Sequence, residues 1–257
     1  MAVTPFVEIA ALGKTYATPA GPAEIVRDFS LYVSEGEFVC LLGHSGCGKS
    51  TVLSILMGLN QPSTGGVVIG GREIDGPGTD RGVVFQSATL LPWMSVRNNV
   101  RLALDQVHRA GVRDADSYLD AVGLGGLGDR LPRELSAGMQ QRVGIARAFS
   151  LEPRLLLLDE PFSLLDALTR MELQDALMRL WERTRRTVIM VTHDVDEALL
   201  LADRIVLMTS GPAATIGRIL PVQFPRPRIR EEILSRPDYF WLRDQVLGFL
   251  EAQPVHA

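Results

Sequence analysis

The sequence predicts an α/β fold with a parallel central sheet, and three observations support this prediction. A short apolar stretch over residues 37–42 leads through a glycine-rich loop into an apolar helix over residues 50–59. Four consecutive leucines at 155–158 form the kind of apolar run that a strand buried on both faces of a parallel sheet shows. After residue 138, helical and extended stretches alternate, which is the pattern of parallel strands joined by helices.

The predicted elements begin with extended segments, continue with helices and end with an alternation of both. Extended segments are expected near residues 6–11, 25–34, 37–42, 66–70 and 82–86. Helices are expected at about 96–109, 113–122 and 138–150. The last elements are a strand at 155–159, a helix at 167–185, a strand at 187–192, a helix near 195–202, and strands near 204–208 and 214–220. The mostly helical stretch over residues 88–150 indicates an inserted helical subdomain.

The segment Gly43–Thr51, GHSGCGKST, matches the phosphate-binding pattern G-x-x-x-x-G-K-[ST]. Its glycines let the backbone turn tightly, so that N–H groups at the start of a helix face an anion. We expect Lys49 to reach the β- and γ-phosphates of ATP, and Ser50 to ligate Mg²⁺. The residues of this loop that we expect to bind ATP are Gly43, Ser45, Gly46, Cys47, Gly48, Lys49, Ser50 and Thr51.

Two adjacent carboxylates end the leucine strand. Asp159 follows Leu158 at the carboxyl end of the strand, where open α/β sheets place their ligands, and we expect it to hold Mg²⁺ through water. Glu160 is the candidate general base that accepts a proton from the attacking water. The alternative for Glu160 is a cap on the segment that follows it.

The segment Leu135–Arg142, LSAGMQQR, contains a helix start. Ser136 is a favoured N-cap residue, and a helix is expected from Gly138 to about Ser150. The positive end of that helix and its free N–H groups would form a second anion site.

With these motifs in this order, the chain resembles the ABC-type ATPases, the nucleotide-binding subunits of ABC transporters, over nearly its whole length. The resemblance implies a P-loop NTPase core with a parallel central sheet, an antiparallel β subdomain and an inserted helical subdomain. It also implies a head-to-tail pair of subunits, in which Ser136 and Gly138 of one subunit close over ATP held by the other.

The resemblance assigns roles to three further residues. Tyr16 is similar to the aromatic that stacks on adenine, and Gln86 to the glutamine that contacts the metal and the attacking water. His193 is similar to the histidine that contacts the γ-phosphate, and Ser163–Asp166 to the loop that couples the two sites of the pair. The alternatives are ordinary surface packing for Tyr16, a solvated loop position for Gln86 and a structural role for His193.

The signature segment departs from the usual LSGGQ at two positions. Ala137 replaces the first glycine, and Met139 replaces the glutamine. Alanine is compatible with the turn if its φ is negative and is restrictive if φ must be positive. These changes bear on how firmly a pair closes and do not change the family.

Composition limits the partners and the location. The net charge is −4 over 257 residues, so nothing marks a nucleic-acid binder. The apolar stretches are far shorter than the roughly 20 residues of a membrane helix, and no signal peptide is apparent at Met1–Pro5. The expected location is the cytoplasmic face of the inner membrane, where the chain is peripheral. The resemblance implies integral-membrane permease subunits, an extracytoplasmic solute-binding protein and a homodimer in the nucleotide-bound state.

The transported solute is predicted only by likeness. The string Leu90–Trp93, LLPW, is read as a buried aromatic beside a proline turn at the surface that meets the permease, with plain core packing as the alternative. It is similar to the corresponding string in importers of nitrate, sulfonates and taurine, and narrower likenesses favour the nitrate type. The alternatives are a sulfonate or taurine importer and, from another class, a soluble ABC ATPase of DNA repair or translation.

The tail changes character at Gln223. The run Pro225–Arg230 is stiff and basic, and helical sequence follows as far as Leu250. We therefore predict an ATP-binding domain over residues 1–222, with the helical subdomain at about 88–150 inserted, and a C-terminal helical tail over 223–257. A helix that packs back on the domain is the simpler interpretation of the tail, and a regulatory role is the other.

Overall fold

The computed structural model describes residues 5–107 and 114–254. Two predictions lie outside this part. They are the absence of a signal peptide, as far as it concerns Met1–Thr4, and the junction of the first two predicted helices at 108–113. The chain divides into two compact units. Unit one comprises Met1–Pro77 and Thr187–Ala257, and unit two comprises Gly78–Arg186.

In chain order, the first segment of unit one contains β1 (Val7–Thr18), β2 (Gly21–Val33), β3 (Phe38–Leu42), α1 (Lys49–Leu56), β4 (Thr64–Ile69) and β5 (Arg72–Glu73). Unit two contains β6 (Arg81–Val84), α2 (Val96–Leu104), α3 (Ala115–Ala121), a short 3-10 helix (Pro132–Glu134), α4 (Ala137–Ser150), β7 (Leu155–Asp159) and α5 (Ala167–Thr184). The second segment of unit one contains β8 (Thr187–Thr192), α6 (Val195–Leu201), β9 (Arg204–Met208), β10 (Ile216–Pro221), α7 (Arg230–Leu234) and α8 (Pro237–Glu251).

Unit one contains two kinds of sheet. Strands β2, β1, β4 and β5 form an antiparallel sheet in that order. Strand β3 lies between β8 and β9 and is parallel to both, while β10 joins β9 as an antiparallel edge. All residues of β3 and β8 are buried, as expected for strands covered on both faces. The predicted α/β fold with parallel strands and an antiparallel sheet is confirmed.

Strand β1 is longer than its sequence indicates, because it ends at Thr18 and not near residue 11. The register against β2 shifts between Ile9 and Leu12, between Leu12 and Lys14, and again before Thr15. Such bulges interrupt the alternation of apolar and polar residues that marks a strand in sequence. Tyr16 therefore lies inside a strand and not beyond its end.

Unit two combines a parallel pair of strands with helices. Strand β6 pairs with β7, with Gly82 opposite Leu156 and Val84 opposite Leu158. Helices α2 and α3 pack against α4, which buries Val143, Ile145 and Phe149. The helical stretch predicted over residues 88–150 is present as α2, α3 and α4, and within it α2 ends at Leu104, before the predicted end at residue 109. The domain boundaries at residues 88, 150 and 222 stay predictions.

The tail after Gln223 is helical and packs within unit one. Helix α8 buries Tyr239, Leu242 and Val246 on one face, and its closest helical neighbour in the same unit is α6. Within residues 5–107 and 114–254, no helix is both long and apolar enough to cross a membrane. Both cysteines, Cys40 and Cys47, are free thiols in the interior.

Candidate functional site

The phosphate loop connects β3 to α1 and is shaped by its glycines. Gly46 and Gly48 have φ values of +79° and +93°, which side chains other than hydrogen rarely allow. At Gly43, a Cβ atom would lie 2.9 Å from Cys47 Sγ and 3.2 Å from the Met208 carbonyl oxygen. The loop therefore needs glycine at these positions to keep its turn.

Lys49 is the first residue of α1 and is only 5% exposed. Its ammonium donates to the carbonyl oxygens of Gly43 at 2.7 Å and of His44 at 2.8 Å. A buried ammonium requires acceptors of this kind, because burial removes its water. The lysine thus lies under the loop and braces it from within.

The start of α1 has no side-chain cap among the described residues. Gly48 is its N-cap residue in the left-handed conformation, and it offers no side-chain acceptor. The first N–H groups of a helix have no intrahelical acceptor, and the helix dipole adds partial positive charge there. An anion at this position would complete the helix end.

His193 follows β8 and lies at the same sheet edge as the phosphate loop. Leu42 and Thr192 are paired in register, and each is the last residue of its strand. His193 is exposed, and the residues after it are fixed by hydrogen bonds to Thr192 and by the Asp194 cap on Glu197 N. Unit one therefore brings His193 and the predicted phosphate loop to neighbouring strand ends.

Tyr16 belongs to the same unit and is half-buried. It pairs with Ala23 in β2, and the same strand touches Gly48 through Ile25 and Val26. The Lys14 ammonium lies 4.8 Å from the centre of the Tyr16 ring, at cation–π distance. One face of the ring is thus occupied by a cation.

Unit two brings Gln86 and Glu160 to one edge of its strand pair. Val84 and Leu158 are in register, and each candidate follows two residues later. Gln86 Nε2 donates to Ser163 Oγ at 3.0 Å, and Ser163 Oγ donates to the Glu160 carbonyl oxygen at 3.1 Å. Gln86 is exposed in its loop and hydrogen-bonded to a loop side chain of the same unit, and its role at the metal and the water stays a prediction.

Glu160 adopts a strained backbone. Its φ is +43°, in the left-handed region that glutamate seldom occupies. Asp159, the last residue of β7, and Glu160 are both half-buried. Strain of this kind costs about 1–3 kcal/mol and is concentrated at functional sites. The backbone turn places two consecutive carboxylates at one strand end.

The signature segment begins α4 as predicted. Ser136 is its N-cap residue and accepts a hydrogen bond from Met139 N at 3.3 Å. Ala137 is the first helical residue, so its φ is negative and its methyl group is compatible with the turn. Gly138 is buried, and a Cβ there would collide with the Thr169 side chain. Glycine is required at Gly138 and not at the position of Ala137.

Two polar residues of α4 hold the segment after β6, and sequence reasoning missed them. Gln141 donates to the Phe85 carbonyl oxygen at 2.8 Å, next to Gln86. Arg147 donates to the carbonyl oxygens of Ala88 and Thr89 at 3.0 and 3.1 Å, and burial lowers its pKa. The only sequence signal was a polar residue, Gln141, on the buried face of a helix.

Trp93 is exposed, which corrects the expectation of a buried aromatic. Its exposed fraction is 72%. The turn from Leu91 to Met94 is closed by a backbone hydrogen bond of 3.1 Å, and buried Asn99 donates to the carbonyl oxygens of both residues. Asn99 thus fixes the turn from inside and leaves the indole on the surface, so core packing does not explain Trp93.

Comparison with known proteins decides the family. The family model described as ABC transporter matches residues 26–163. The chain belongs to the ATP-binding family of ABC transporters. The nitrate import ATP-binding protein NrtD of Synechococcus elongatus is 49% identical over 98% of this chain and 94% of its own length. The bicarbonate transport ATP-binding protein CmpD of the same organism is 50% identical over 98% and 92%.

A solved structure of the same family agrees with the fold. The dimeric post-hydrolysis state of the ATP-binding cassette MJ0796, bound to ADP and Pi, is 31% identical with a TM-score of 0.74. The match covers 85% of this chain and all of that one. Membership of the ABC family confirms the predicted resemblance, the ATPase class and ATP as the nucleotide. The residue roles at the site stay predictions.

Proposed function

We propose that this ABC ATPase powers the import of a small planar oxyanion, with nitrate as the first candidate. The observation that carries the proposal is the near-50% identity, over almost the full chain, to subunits named for nitrate and bicarbonate transport. Nitrate and bicarbonate share a single negative charge and three oxygens around one planar centre. The sequence predicted nitrate or a similar oxyanion without naming bicarbonate, and the relative named for bicarbonate is the reason to test it beside nitrate.

The proposed roles divide between the two units. In unit one, N–H groups of the phosphate loop and the Lys49 ammonium bind the phosphates. Tyr16 stacks on adenine, and His193 contacts the γ-phosphate. Support comes from the uncapped start of α1 and from the register of β3 and β8. In unit two, Ser136 and Gly138 serve the nucleotide held by a second copy of the chain.

Glu160 is the proposed general base. Its carboxylate accepts a proton from water as the water oxygen bonds to the γ-phosphorus, and the bond from that phosphorus to the bridging oxygen breaks, so ADP leaves with the electron pair. Gln86 orients the water. The hydrogen bonds from Gln86 to Ser163 and from Ser163 to the backbone carbonyl oxygen of Glu160 support placing the two residues at one site.

The residues proposed for Mg²⁺ fit its preference for oxygen. Ser50 offers a hydroxyl, Gln86 an amide oxygen and Asp159 a carboxylate, and Mg²⁺ is usually bound by few protein oxygens together with substrate phosphates. Within the described residues no group of three His, Cys, Asp or Glu side chains could hold a metal alone. When bound, the ion neutralises charge on the phosphate oxygens.

The proposed partners are integral-membrane permease subunits, an extracytoplasmic solute-binding protein and a second copy of this chain. Exposed Trp93, on a turn that Asn99 fixes, is the proposed contact for the permease. The proposed location is the cytoplasmic face of the inner membrane, where the chain is peripheral.

The solute test uses the intact complex, isolated through a tag on this chain and reconstituted with its binding protein. ATPase activity is compared with nitrate, bicarbonate, taurine and an alkanesulfonate. Stimulation by nitrate supports the proposal, and stimulation by bicarbonate alone keeps the oxyanion class but changes the solute. Stimulation only by a sulfur compound contradicts the oxyanion proposal, and failure of any permease to co-purify contradicts the transporter role.

The proposed base is tested by Glu160→Gln in the same complex. The amide cannot accept the proton, so turnover should fall by at least about 100-fold while ATP binding is retained. Equilibrium binding of ATP and single-turnover hydrolysis measure the two effects separately. Wild-type turnover in the variant would show that Glu160 is not the general base.

A further inference from the structure

The carboxyl end of α8 contacts the phosphate loop. His44 is the second residue of the loop, and its Nε2 atom lies 2.8 Å from the Leu250 carbonyl oxygen. A carbonyl oxygen only accepts, so the His44 ring donates the hydrogen. The two residues are 206 positions apart, and Lys49 donates to the carbonyl oxygen of the same His44. The tail is thus joined to the loop at a residue that already supports Lys49.

The same end of α8 also contacts the turn between β9 and β10. Phe249 packs directly against Gly217, the second residue of β10, where any Cβ would collide with its ring. In the turn itself, Ser210 N donates at 3.4 Å to Oε1 of Gln253, two residues after α8. Within that turn, a Cβ on Gly211 would lie 3.7 Å from the Gly46 carbonyl oxygen. The phosphate loop is therefore backed by the turn and by the end of α8 together.

The amino end of α8 holds α6, the helix that follows His193. Tyr239 donates its hydroxyl hydrogen to Asp196 Oδ1 at 2.6 Å, and Arg243 Nε donates to the same oxygen at 2.9 Å. Tyr239 is buried, and burial raises the pKa of its phenol, so the donor keeps its proton. This end of α8 is fixed by a charge-assisted hydrogen bond.

The segment before α8 holds the other end of α6. The Arg228 side chain is fully buried and donates to the carbonyl oxygens of Leu200 at 2.9 Å and Ala202 at 2.7 Å. Arg226 donates to the Leu201 carbonyl oxygen at 2.8 Å. Cations at a helix carboxyl end interact favourably with the dipole, so the tail secures α6 at both ends.

These polar contacts are additional to the apolar face by which α8 packs on the rest of unit one. Tyr239, Leu242 and Val246 are buried with spacings of three and four residues, which is enough to pack a helix on a domain. Packing alone does not require a hydrogen bond to the phosphate loop at one end and to α6 at the other. The two ends of α8 instead contact the phosphate loop and α6, the helix that begins two residues after His193.

We propose that α8 is a positioning element of the ATP site and that His44 is the positioning residue through which it orders the phosphate loop. This inference rests on the proposed function of that loop. With the hydrogen bond to Leu250 in place, the loop is held in its binding conformation before ATP arrives. Without it, ordering the loop is part of the cost of binding, so affinity falls while the bound state and its turnover are unchanged.

The test measures KM for ATP and kcat of the intact complex with His44→Leu and His44→Gln. Leucine removes the donor, and the glutamine amide has the reach to replace Nε2. We expect His44→Leu to raise KM about threefold to tenfold, the range of one hydrogen bond, with kcat within about twofold. His44→Gln should return KM to the wild-type value. Trp241→Ala, on the exposed face of α8, is the matched control and should change neither constant.

A second variant tests the same contact from the helix side. Phe249→Ala loosens the end of α8 and should also raise KM. The double variant with His44→Leu should raise KM no more than the larger single change, because both act through one contact. If His44→Leu melts below the assay temperature, Phe249→Ala alone decides the result.

Several outcomes would overturn the inference. They are a wild-type KM in His44→Leu, an equal defect in His44→Gln, or a KM in the double variant that multiplies the single effects. A wild-type complex that does not hydrolyse ATP would contradict the proposed function, and the inference with it. The wild-type measurement therefore separates the two failures.

Discussion

Helices α1 and α4 both begin at a predicted phosphate-facing end, but they begin in opposite ways. Helix α1 starts after Gly48, in the left-handed conformation, with no side-chain cap among the described residues. Helix α4 starts after Ser136, whose hydroxyl accepts from Met139 N and caps the helix from within the chain. The first residue of α1, Lys49, is buried, whereas Ser136 and Ala137 are exposed.

The difference indicates which helix end needs a ligand. The start of α1 has no side-chain cap within the described part of the chain, so an anion there would complete the helix end, and this is where the proposed function puts a phosphate of ATP. The start of α4 is stable by itself and presents its serine on the surface. The proposed role of this end, at a nucleotide held by a second subunit, fits such a self-capped start, because the helix end holds its shape before the nucleotide meets it.

The largest effect is expected from Lys49→Ala, which removes the charge from the α1 site. ATP binding by the purified chain should weaken by about 100-fold, since charge-assisted hydrogen bonds to phosphate are lost. Nucleotide titration measures the change. Arg101→Ala, which removes an exposed cation on α2, is the control and should bind ATP normally. Equal weakening in both variants would mean that overall charge, and not the buried ammonium, determines affinity.

The next effect is expected from Gly138→Ala, which places a methyl group against Thr169 and shifts the start of α4. Displacement of a binding group by about 1 Å can cost 100-fold in rate, so ATPase activity of the complex should fall by that order. ATP binding by the single chain should be unchanged, because α1 is untouched. In Gly144→Ala the nearest atoms would be at ordinary contact distances of 3.5–3.8 Å, so activity should be kept.

If Gly138→Ala weakened ATP binding as much as Lys49→Ala does, the two helix ends would not have the separate roles proposed here. If Gly144→Ala lost activity equally, the defect would lie in α4 as a helix and not at its start. Circular dichroism of both variants shows whether the helix content is preserved.

A smaller effect is expected from Ser136→Ala, which removes the cap of α4. Loss of a serine cap costs about 0.5–2 kcal/mol of stability. The matched control is Ser95→Ala, because Ser95 caps α2 in the same unit through Asn98 N at the same 3.3 Å. Both variants should lose similar stability in chemical denaturation, but only Ser136→Ala should also lose ATPase activity, by about tenfold. If both variants lost activity equally, Ser136 would act only as the helix cap and not as a contact for the nucleotide.

The sequence predicted those parts of the fold and site that depend on local chemistry. The glycines of the phosphate loop allow its tight turn, and Ser136 is a favoured N-cap residue. Both signals are local, so α1 and α4 were expected near their observed positions. The neighbouring strand ends that carry His193 and the loop follow from buried parallel strands, whose apolar runs are visible in the sequence.

The contacts that were missed are long-range and polar. The hydrogen bond of His44 with Leu250 joins residues 206 positions apart, and that of Gln141 with Phe85 joins residues 56 positions apart. Contacts at such separations leave no periodic pattern in the sequence. The extension of β1 beyond residue 11 was hidden by its bulges. Trp93 was expected to be a buried aromatic beside a proline turn, and it is exposed. Its exposure depends on Asn99, whose hydrogen bonds close a turn that composition cannot reveal.

The smallest effect is expected from Met139→Gln, which restores the usual residue at the one departure that the structure leaves open. Met139 is half-exposed in the first turn of α4, and glutamine has a similar helix propensity, so stability should change by less than about 0.5 kcal/mol. Its amide can hydrogen-bond to a nucleotide or a partner where the thioether cannot, so KM for ATP should fall by about twofold. Ala137→Gly should give no such gain, since Ala137 already has helical φ. A rise in KM with Met139→Gln would show instead that the methionine makes an apolar contact when two copies close, and that the start of α4 is adapted to this chain's own partner surface.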